Sequence, residues 1–265
     1  MSYFPRSTHL KRSVFAAGLA LLPLAAAGCS DSTGADERHL RGPEVAMGQG
    51  TARTEVTLNR NGDPVSMSAV LSEGSLSGLP ATAPMGGVEY VVPLPAEATG
   101  TRFDHAVVNW VPLGHPPAGV FDAPHFDVHF YMISVQQRDA MTPADPQFGA
   151  KANRQPAPDF VPRNFTGDPG AIPRMGTHWA DRTTGAYHGL GFTHTMVYGF
   201  FDGSMVFIEP KITKAFLETR PNVEVDFAVP SKYPQAGSYP SRYAVRYDTS
   251  RKEYRIELLG FASRL

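Results

Sequence analysis

Cysteine is almost absent from this sequence: the 265 residues include one, Cys29. Everything after that position lacks a thiol, which excludes both a disulfide framework and a cysteine nucleophile for the folded part. Clusters of Lys and Arg are also missing beyond the first dozen residues, and the formal net charge is −1. Proteins that bind nucleic acid carry a basic patch, so nucleic acid is not an expected partner.

The N-terminus is typical of a secretory signal. Arg6, Lys11 and Arg12 precede an apolar run over residues 14–27, which is short for a membrane span. The stretch LAAAGCS then resembles the lipobox of bacterial lipoproteins, although Ala26 stands where Leu is usual. We therefore predict a signal peptide over residues 1–28 and an acylated Cys29. The alternative is a conventional cleaved signal followed by a chance cysteine.

This prediction makes the protein exported and lipid-anchored to a bacterial cell envelope, on the periplasmic side or at the outer membrane. Its membrane contact is the N-terminal lipid. Residues 29–50 are small, polar and without an apolar period, which predicts a flexible tether. Residues 51–265 are then a single β-rich domain.

Many turns are expected, because the chain has 24 Pro and 25 Gly. Asn61-Gly62 predicts a tight hairpin turn, and DTSRK separates a second predicted hairpin. The fold class is all-β or β-rich α+β: an antiparallel sandwich or barrel with short helices after Ser134 and at residues 213–218, and a long Pro-rich loop over 142–174. Strand candidates are residues 54–58, 65–71, 89–92, 106–111, 126–133, 195–200, 204–208, 223–229, 243–247 and 254–259.

Histidine is concentrated in the middle of the chain, where seven of the nine residues fall between positions 105 and 194. In HFDVHFY, residues 125–131, the polar residues His125, Asp127 and His129 alternate with apolar ones. A strand would place those three on one face and the apolar residues on the other. Same-face neighbours stand roughly 6.6 Å apart, whereas positions i and i+4 are about 13 Å apart and share an ion only across a bend.

Further ligands must come from elsewhere in the chain. His178 follows a Met-Gly turn in MGTHWAD, and Glu209 ends an apolar run before a proline. We predict that His125, His129, His178 and Glu209 converge on one divalent transition metal, with Asp127 as a ligand or an orienting partner. Zinc is the first expectation, followed by Fe, Mn or Ni. His115 and His194 are reserve candidates, and structural histidines without a metal are the alternative.

The blocks HFDVHFY and MGTHWAD, with VYGFFDGSMVFIEPKIT, resemble a family of exported bacterial proteins classed as a domain of unknown function. The resemblance extends from about Thr51 onward and implies export and a shared fold. A weaker likeness is to cupins, whose metal sites use two histidines two residues apart, a glutamate and a later histidine. Here the two histidines are four apart and Glu209 follows His178, so the cupin pattern is not met.

Three functions remain open on the sequence alone. The first is a metal-binding lipoprotein without catalysis, in which the metal stabilises the fold or the domain holds a small-molecule ligand or a protein partner at the envelope. The second is a metal-dependent enzyme of hydrolase or oxygenase type, with an open coordination position and Asp127 or Glu209 as base. The third is a structural β domain without metal.

Overall fold

A computed structural model of the chain describes Met1 and residues 37–264. The predicted signal peptide beyond Met1 and the predicted lipidation site at Cys29 lie outside the described residues. Within the described part, no helix has both the length and the apolar character needed to cross a membrane.

Short antiparallel strands make up most of the described chain. They are β1 (Arg38–Arg41), β2 (Val45–Met47), β3 (Gly50–Leu58), β4 (Pro64–Ser72), β5 (Val88–Pro93), β6 (His105–Val111), β7 (His125–Tyr131), β8 (Phe165–Gly167), β9 (Thr177–Asp181), β10 (His194–Phe201), β11 (Ser204–Thr213), β12 (Asn222–Asp226), β13 (Gly237–Tyr239), β14 (Arg242–Asp248), β15 (Glu253–Leu259) and β16 (Ala262–Arg264). The α-helices are α1 (Val135–Ala140), α2 (Phe148–Ala152) and α3 (Lys214–Glu218). Single 3₁₀ turns lie at Glu73–Leu76, Pro158–Phe160 and Gly185–His188.

The strands form two large sheets that pack face to face. Sheet A has the order β1-β3-β4-β15-β14-β12, with β2 also paired to β3, and sheet B has the order β5-β6-β7-β11-β10-β9-β8. The small pair β13-β16 lies apart from both. One apolar core joins the sheets, and it includes Val56 and Ile256 from sheet A and Phe126, Val128 and Phe130 from sheet B. The predicted all-β class is confirmed, as the sandwich rather than the barrel.

Local sequence signals account for several elements. The β3-β4 hairpin turns at Asn61-Gly62, where Gly62 has a φ of 85°, a value that glycine adopts without strain. The second predicted hairpin is β14-β15. Helix α1 begins with a capping box, in which Ser134 and Gln137 satisfy each other's backbone N–H groups.

The predicted tether over residues 29–50 is too long. Strands β1 and β2 both fall within it, and both pair with β3. Met47 at the end of β2 is buried in the core. Short edge strands are held by backbone hydrogen bonds, so they need no alternating apolar pattern, and this hid them from sequence analysis. The folded domain therefore begins by Arg38 rather than at Thr51.

Candidate metal centre

Strand β7 is buried on both of its faces. Phe126, Val128 and Phe130 belong to the core between the sheets, so His125 and His129 lie with Asp127 on the outer face of sheet B. All seven residues of the strand are buried, including the three polar ones. Loops therefore cover the outer face, and its imidazoles and carboxylate have lost most of their contact with water.

The neighbouring strand β11 adds a carboxylate and an ammonium to this face. Lys211 pairs in register with Asp127, and Ile208 pairs with Phe130. The same register on both sides of Pro210 places Glu209 opposite His129. Sequence analysis ended this strand at residue 208, because proline lacks the N–H that a ladder needs. The structure instead continues β11 to Thr213.

Strand β9 supplies His178 on the same face. His178 pairs with Gly199 of β10, which in turn pairs with Phe207 of β11. A Cβ atom on Gly199 would approach the Phe207 ring to 2.2 Å, so the glycine makes room for this ring. The Phe207 ring lies 4.5 Å from the His129 ring and 5.4 Å from the His178 ring, measured between centroids. Phe207 thus packs against both imidazoles and restricts their orientation.

His129, His178 and Glu209 form the first of two groups, here called the buried triad. His129 Nε2 lies 3.6 Å from Glu209 Oε1, and His178 Nε2 lies 3.5 Å from Glu209 Oε2. These separations are too long for hydrogen bonds. They suit two ligands of one tetrahedral zinc ion, which stand about 3.3 Å apart when each bond is 2.0 to 2.1 Å.

Several polar atoms of the buried triad have no hydrogen-bond partner among the described residues. His129 Nε2 and both oxygens of Glu209 are buried without a hydrogen-bond partner among the described residues. The side chains of His129 and Glu209 are 0% exposed, and that of His178 is 11% exposed. Because an unpaired buried carboxylate costs several kcal/mol, a cation or a proton must accompany Glu209, and the three ligand atoms together could hold a metal ion.

His115, His125 and Asp127 form the second group, the outer triad. His125 Nε2 lies 3.2 Å from Asp127 Oδ1, and His115 Nε2 lies 3.6 Å from Asp127 Oδ2. His115 sits in the loop after β6, and its side chain is 26% exposed. Within each triad, one ligand atom per residue lies within 4.8 Å of the others, so either group could hold a metal ion.

Lys211 stands between the two triads. Its Nζ lies 2.8 Å from Asp127 Oδ2, 2.6 Å from Glu209 Oε1 and 3.3 Å from His115 Nε2. The contact with Glu209 is an ion pair by distance, but its angles leave Oε1 without a well-formed hydrogen bond. One buried ammonium therefore serves two buried carboxylates, and neither is fully satisfied.

Burial and the lysine move the pKa values of these groups in different directions. Burial alone would raise the pKa of Asp127, but Lys211 and His125 outweigh it and hold that pKa well below its usual range. In Glu209, burial outweighs Lys211 and raises the pKa to about 8. Burial also lowers the pKa of His129 to about 3. Burial likewise holds the pKa of His178 well below its usual value, so without a metal the buried triad consists of two neutral imidazoles beside a carboxyl group that retains its proton at pH 7.

The structure divides the predicted ligand set. His129, His178 and Glu209 lie together in the buried triad, whereas His125 and Asp127 lie in the outer triad with the reserve candidate His115. Alternation correctly predicted one face for His125, Asp127 and His129, and the structure adds His178 and Glu209 to that face, but the predicted convergence of the set on one point is wrong. His125 and His129 are four positions apart on the same strand, so each reaches a different neighbour.

Two other positions also differ from the sequence analysis. The reserve candidate His194 accepts or donates a hydrogen bond at Nδ1 to the Tyr243 hydroxyl, at 2.7 Å, and belongs to neither triad. Lys211 was missed entirely. The signal that could have found it is the spacing in EPK, which repeats the period-2 alternation of β7 across a proline.

The long Pro-rich segment, residues 142–174, covers part of this face. Ile172 and the following Met175 pack with Val107, Tyr131 and Phe207 in a second, smaller apolar cluster. The Tyr131 hydroxyl donates to the Arg174 carbonyl at 3.0 Å, which ties the end of the segment to β7. The segment therefore closes the site from solvent rather than separating two domains.

Comparisons with known proteins give one partial similarity. A family model described as TTHB210-like, for hypothetical protein TTHB210, matches residues 59–110. This stretch includes β4, β5 and nearly all of β6, and it ends before the first residue of either triad. Searches of curated proteins and of solved structures found no match.

Proposed function

We propose that this chain is an exported, lipid-anchored metal-binding protein whose ion is held by the buried triad. The observation that carries the proposal is the fully buried carboxylate of Glu209, whose Oε1 and Oε2 lie 3.6 and 3.5 Å from Nε2 of His129 and His178, and whose Oε2 has no hydrogen-bond partner among the described residues. Two imidazole nitrogens and a carboxylate are a common ligand set for a divalent transition metal. Zinc is the first choice, and Fe, Mn or Ni also accept these ligands.

Holding the ion fits the site better than turnover. The three side chains are buried or nearly so, and an aromatic ring packs on both imidazoles. The competing function is a metal-dependent hydrolase or oxygenase, because three protein ligands leave a fourth position for water. In that case Asp127, which contacts Lys211 rather than the buried triad, is the remaining carboxylate that could act as base.

Elemental analysis of protein purified without a metal-affinity tag tests the proposal. We expect about one divalent transition-metal ion per chain for the wild type and less than a tenth of that for His178→Ala. His39→Ala is a matched control, since His39 is exposed on β1 and hydrogen-bonds its neighbour Thr57 within sheet A, whereas the triads lie on sheet B. Folded wild-type protein without metal, or full retention by His178→Ala, would support the structural β domain instead.

The proposed location rests on the lipobox resemblance at residues 24–30. If Cys29 is acylated, Cys29→Ser should release the protein from the membrane fraction or leave an uncleaved precursor. Mass spectrometry of the N-terminal peptide of the wild type should then find a lipid. An unchanged distribution together with an unmodified peptide would contradict the anchor and leave the metal proposal intact.

A further inference from the structure

The outer triad has features of a metal site in its own right. His115 Nδ1 lies 2.6 Å from the Pro116 carbonyl oxygen, and His125 Nδ1 lies 2.7 Å from the Ala123 carbonyl oxygen. A carbonyl can only accept, so each Nδ1 carries the proton and donates it. Neutral imidazoles in this tautomer present a lone pair at Nε2, as histidine ligands of metals do.

Both Nε2 atoms of this triad are directed toward Asp127. His125 Nε2 and Asp127 Oδ1 are buried 3.2 Å apart, yet neither has a hydrogen-bond partner among the described residues. Two buried ligand atoms at this separation, neither with a hydrogen-bond partner, are spaced as two ligands of one metal ion are. The buried triad likewise has buried ligand atoms without hydrogen-bond partners in the described part of the chain.

Lys211 lies between the two triads and would be close to an ion bound in either one. Its ammonium touches the carboxylate of each triad, so it already neutralises part of the charge that each ion would use. We propose that the outer triad is a second divalent-metal site, and that Lys211 couples it to the buried triad so that the second ion binds more weakly than the first. This inference rests on the proposed function of the buried triad.

The size of the effect follows from the charges. When one ion occupies the buried triad, Lys211 can withdraw from Glu209 and rely on Asp127, which is the only carboxylate of the outer triad. A second ion must then displace an ammonium from Asp127 or share the carboxylate with it. The ammonium would then repel a dication about 4 Å away. Even at the high effective dielectric of a partly wet site, this repulsion lowers the affinity for the second ion roughly a hundredfold or more.

Native mass spectrometry and calorimetric titration with zinc test the coupling. We expect the wild type to bind one ion tightly and a second about a hundredfold more weakly. Lys211→Met keeps the length of the side chain and removes its charge, and it should bind the second ion at least tenfold more tightly than the wild type does. Adding His115→Ala to Lys211→Met should return the protein to one tight ion, because His115 lies in the outer triad alone.

Each result has a clear reading. Two equally tight ions in the wild type would overturn the inference, and so would a covalent carbon dioxide adduct on Lys211, since a carbamate would attract both ions. A single ion in folded Lys211→Met would show that the outer triad is not a site. If Lys211→Met does not fold, the wild type still decides: His115→Ala must abolish the weak second step and spare the first. If the proposed function itself is wrong, neither the wild type nor any variant will bind an ion tightly.

Discussion

The two faces of strand β7 are equally buried but are stabilised in opposite ways. On the inner face, Phe126, Val128 and Phe130 meet apolar side chains of both sheets. On the outer face, His129 and Asp127 carry buried atoms that lack hydrogen-bond partners among residues 37–264. The inner face is stabilised by apolar packing alone, whereas the outer face carries polar groups that could hold a metal ion. A strand buried on both sides can therefore be a structural element on one side and a binding site on the other.

The largest expected effect comes from the inner face. Phe130 is 0% exposed and packs edge-on against Phe103, with ring centroids 6.4 Å apart. We expect Phe130→Ala to lower the free energy of unfolding by about 3–5 kcal/mol, because it leaves a cavity in the core. Urea denaturation would measure this, with Phe130→Leu as the milder control. The folded fraction of Phe130→Ala should keep its metal, and loss of the ion would show that the two faces are not independent.

Next in size is the contribution of the metal on the outer face. An ion that binds only the folded state stabilises it by about 2.7–4.1 kcal/mol at 100 to 1,000 times its dissociation constant. We expect chelation to remove this stabilisation from the wild type and to change His129→Ala little. Thermal unfolding with and without chelator would show the difference. Equal sensitivity of both proteins to chelator would place the ion elsewhere.

The division into two triads marks where sequence reasoning stopped. Alternation predicted the shared face of His125, Asp127 and His129, because strand geometry alone determines it. Which strand lies beside β7 depends on long-range pairing, so the partners of each histidine could not be assigned. The separation of about 13 Å between positions i and i+4 already argued against one shared ion, and the register with β11 shows why.

The sequence pattern did not predict Lys211 as a site residue. It also did not predict four short strands, which are β1, β2, β8 and β9. The predicted strand ended at the proline before Lys211, because proline has no backbone N–H to donate. A strand nevertheless tolerates proline at a position where the neighbouring strand needs no N–H donor. These four strands are three to five residues long, and pairing with neighbouring strands rather than their own residue pattern stabilises them. His178 was chosen as a ligand from its turn context, but its strand β9 was not recognised.

The pH dependence of the metal-free protein should reveal the outer face. Burial lowers the folded-state pKa of His129 to about 3 and that of His178 well below 6.5, so both favour unfolding as the pH falls below 6.5. Burial raises the folded-state pKa of Glu209 to about 8, so its proton favours folding below pH 4.5 and this contribution is lost as the pH rises to 8.

The metal-free protein should therefore be most stable near pH 6.5. Stability should fall by roughly 1.4 kcal/mol per pH unit on the alkaline side, up to pH 8. It should also fall on the acid side, where two imidazoles outweigh one carboxyl group. Urea denaturation in chelator at several pH values would measure this. Glu209→Gln should lack the alkaline decline, and a decline that persists in this variant would assign it to another group.

The smallest expected effect is at the rim of the outer face. His115 is partly exposed and lies in a loop, so His115→Ala should change the free energy of unfolding of the metal-free protein by about 0.5 kcal/mol or less. The tight ion should be retained with unchanged affinity in a zinc competition assay. A tenfold loss of that affinity would mean that the tight site is the outer triad rather than the buried one.

Diffraction from crystals prepared with one equivalent of zinc, recorded above and below its absorption edge, tests the central claim most directly. The account predicts one anomalous peak enclosed by His129 Nε2, His178 Nε2 and a Glu209 oxygen, at about 2.0 to 2.2 Å from each. A single peak at the outer triad, or an anomalous map without a peak on this face of sheet B, would contradict it.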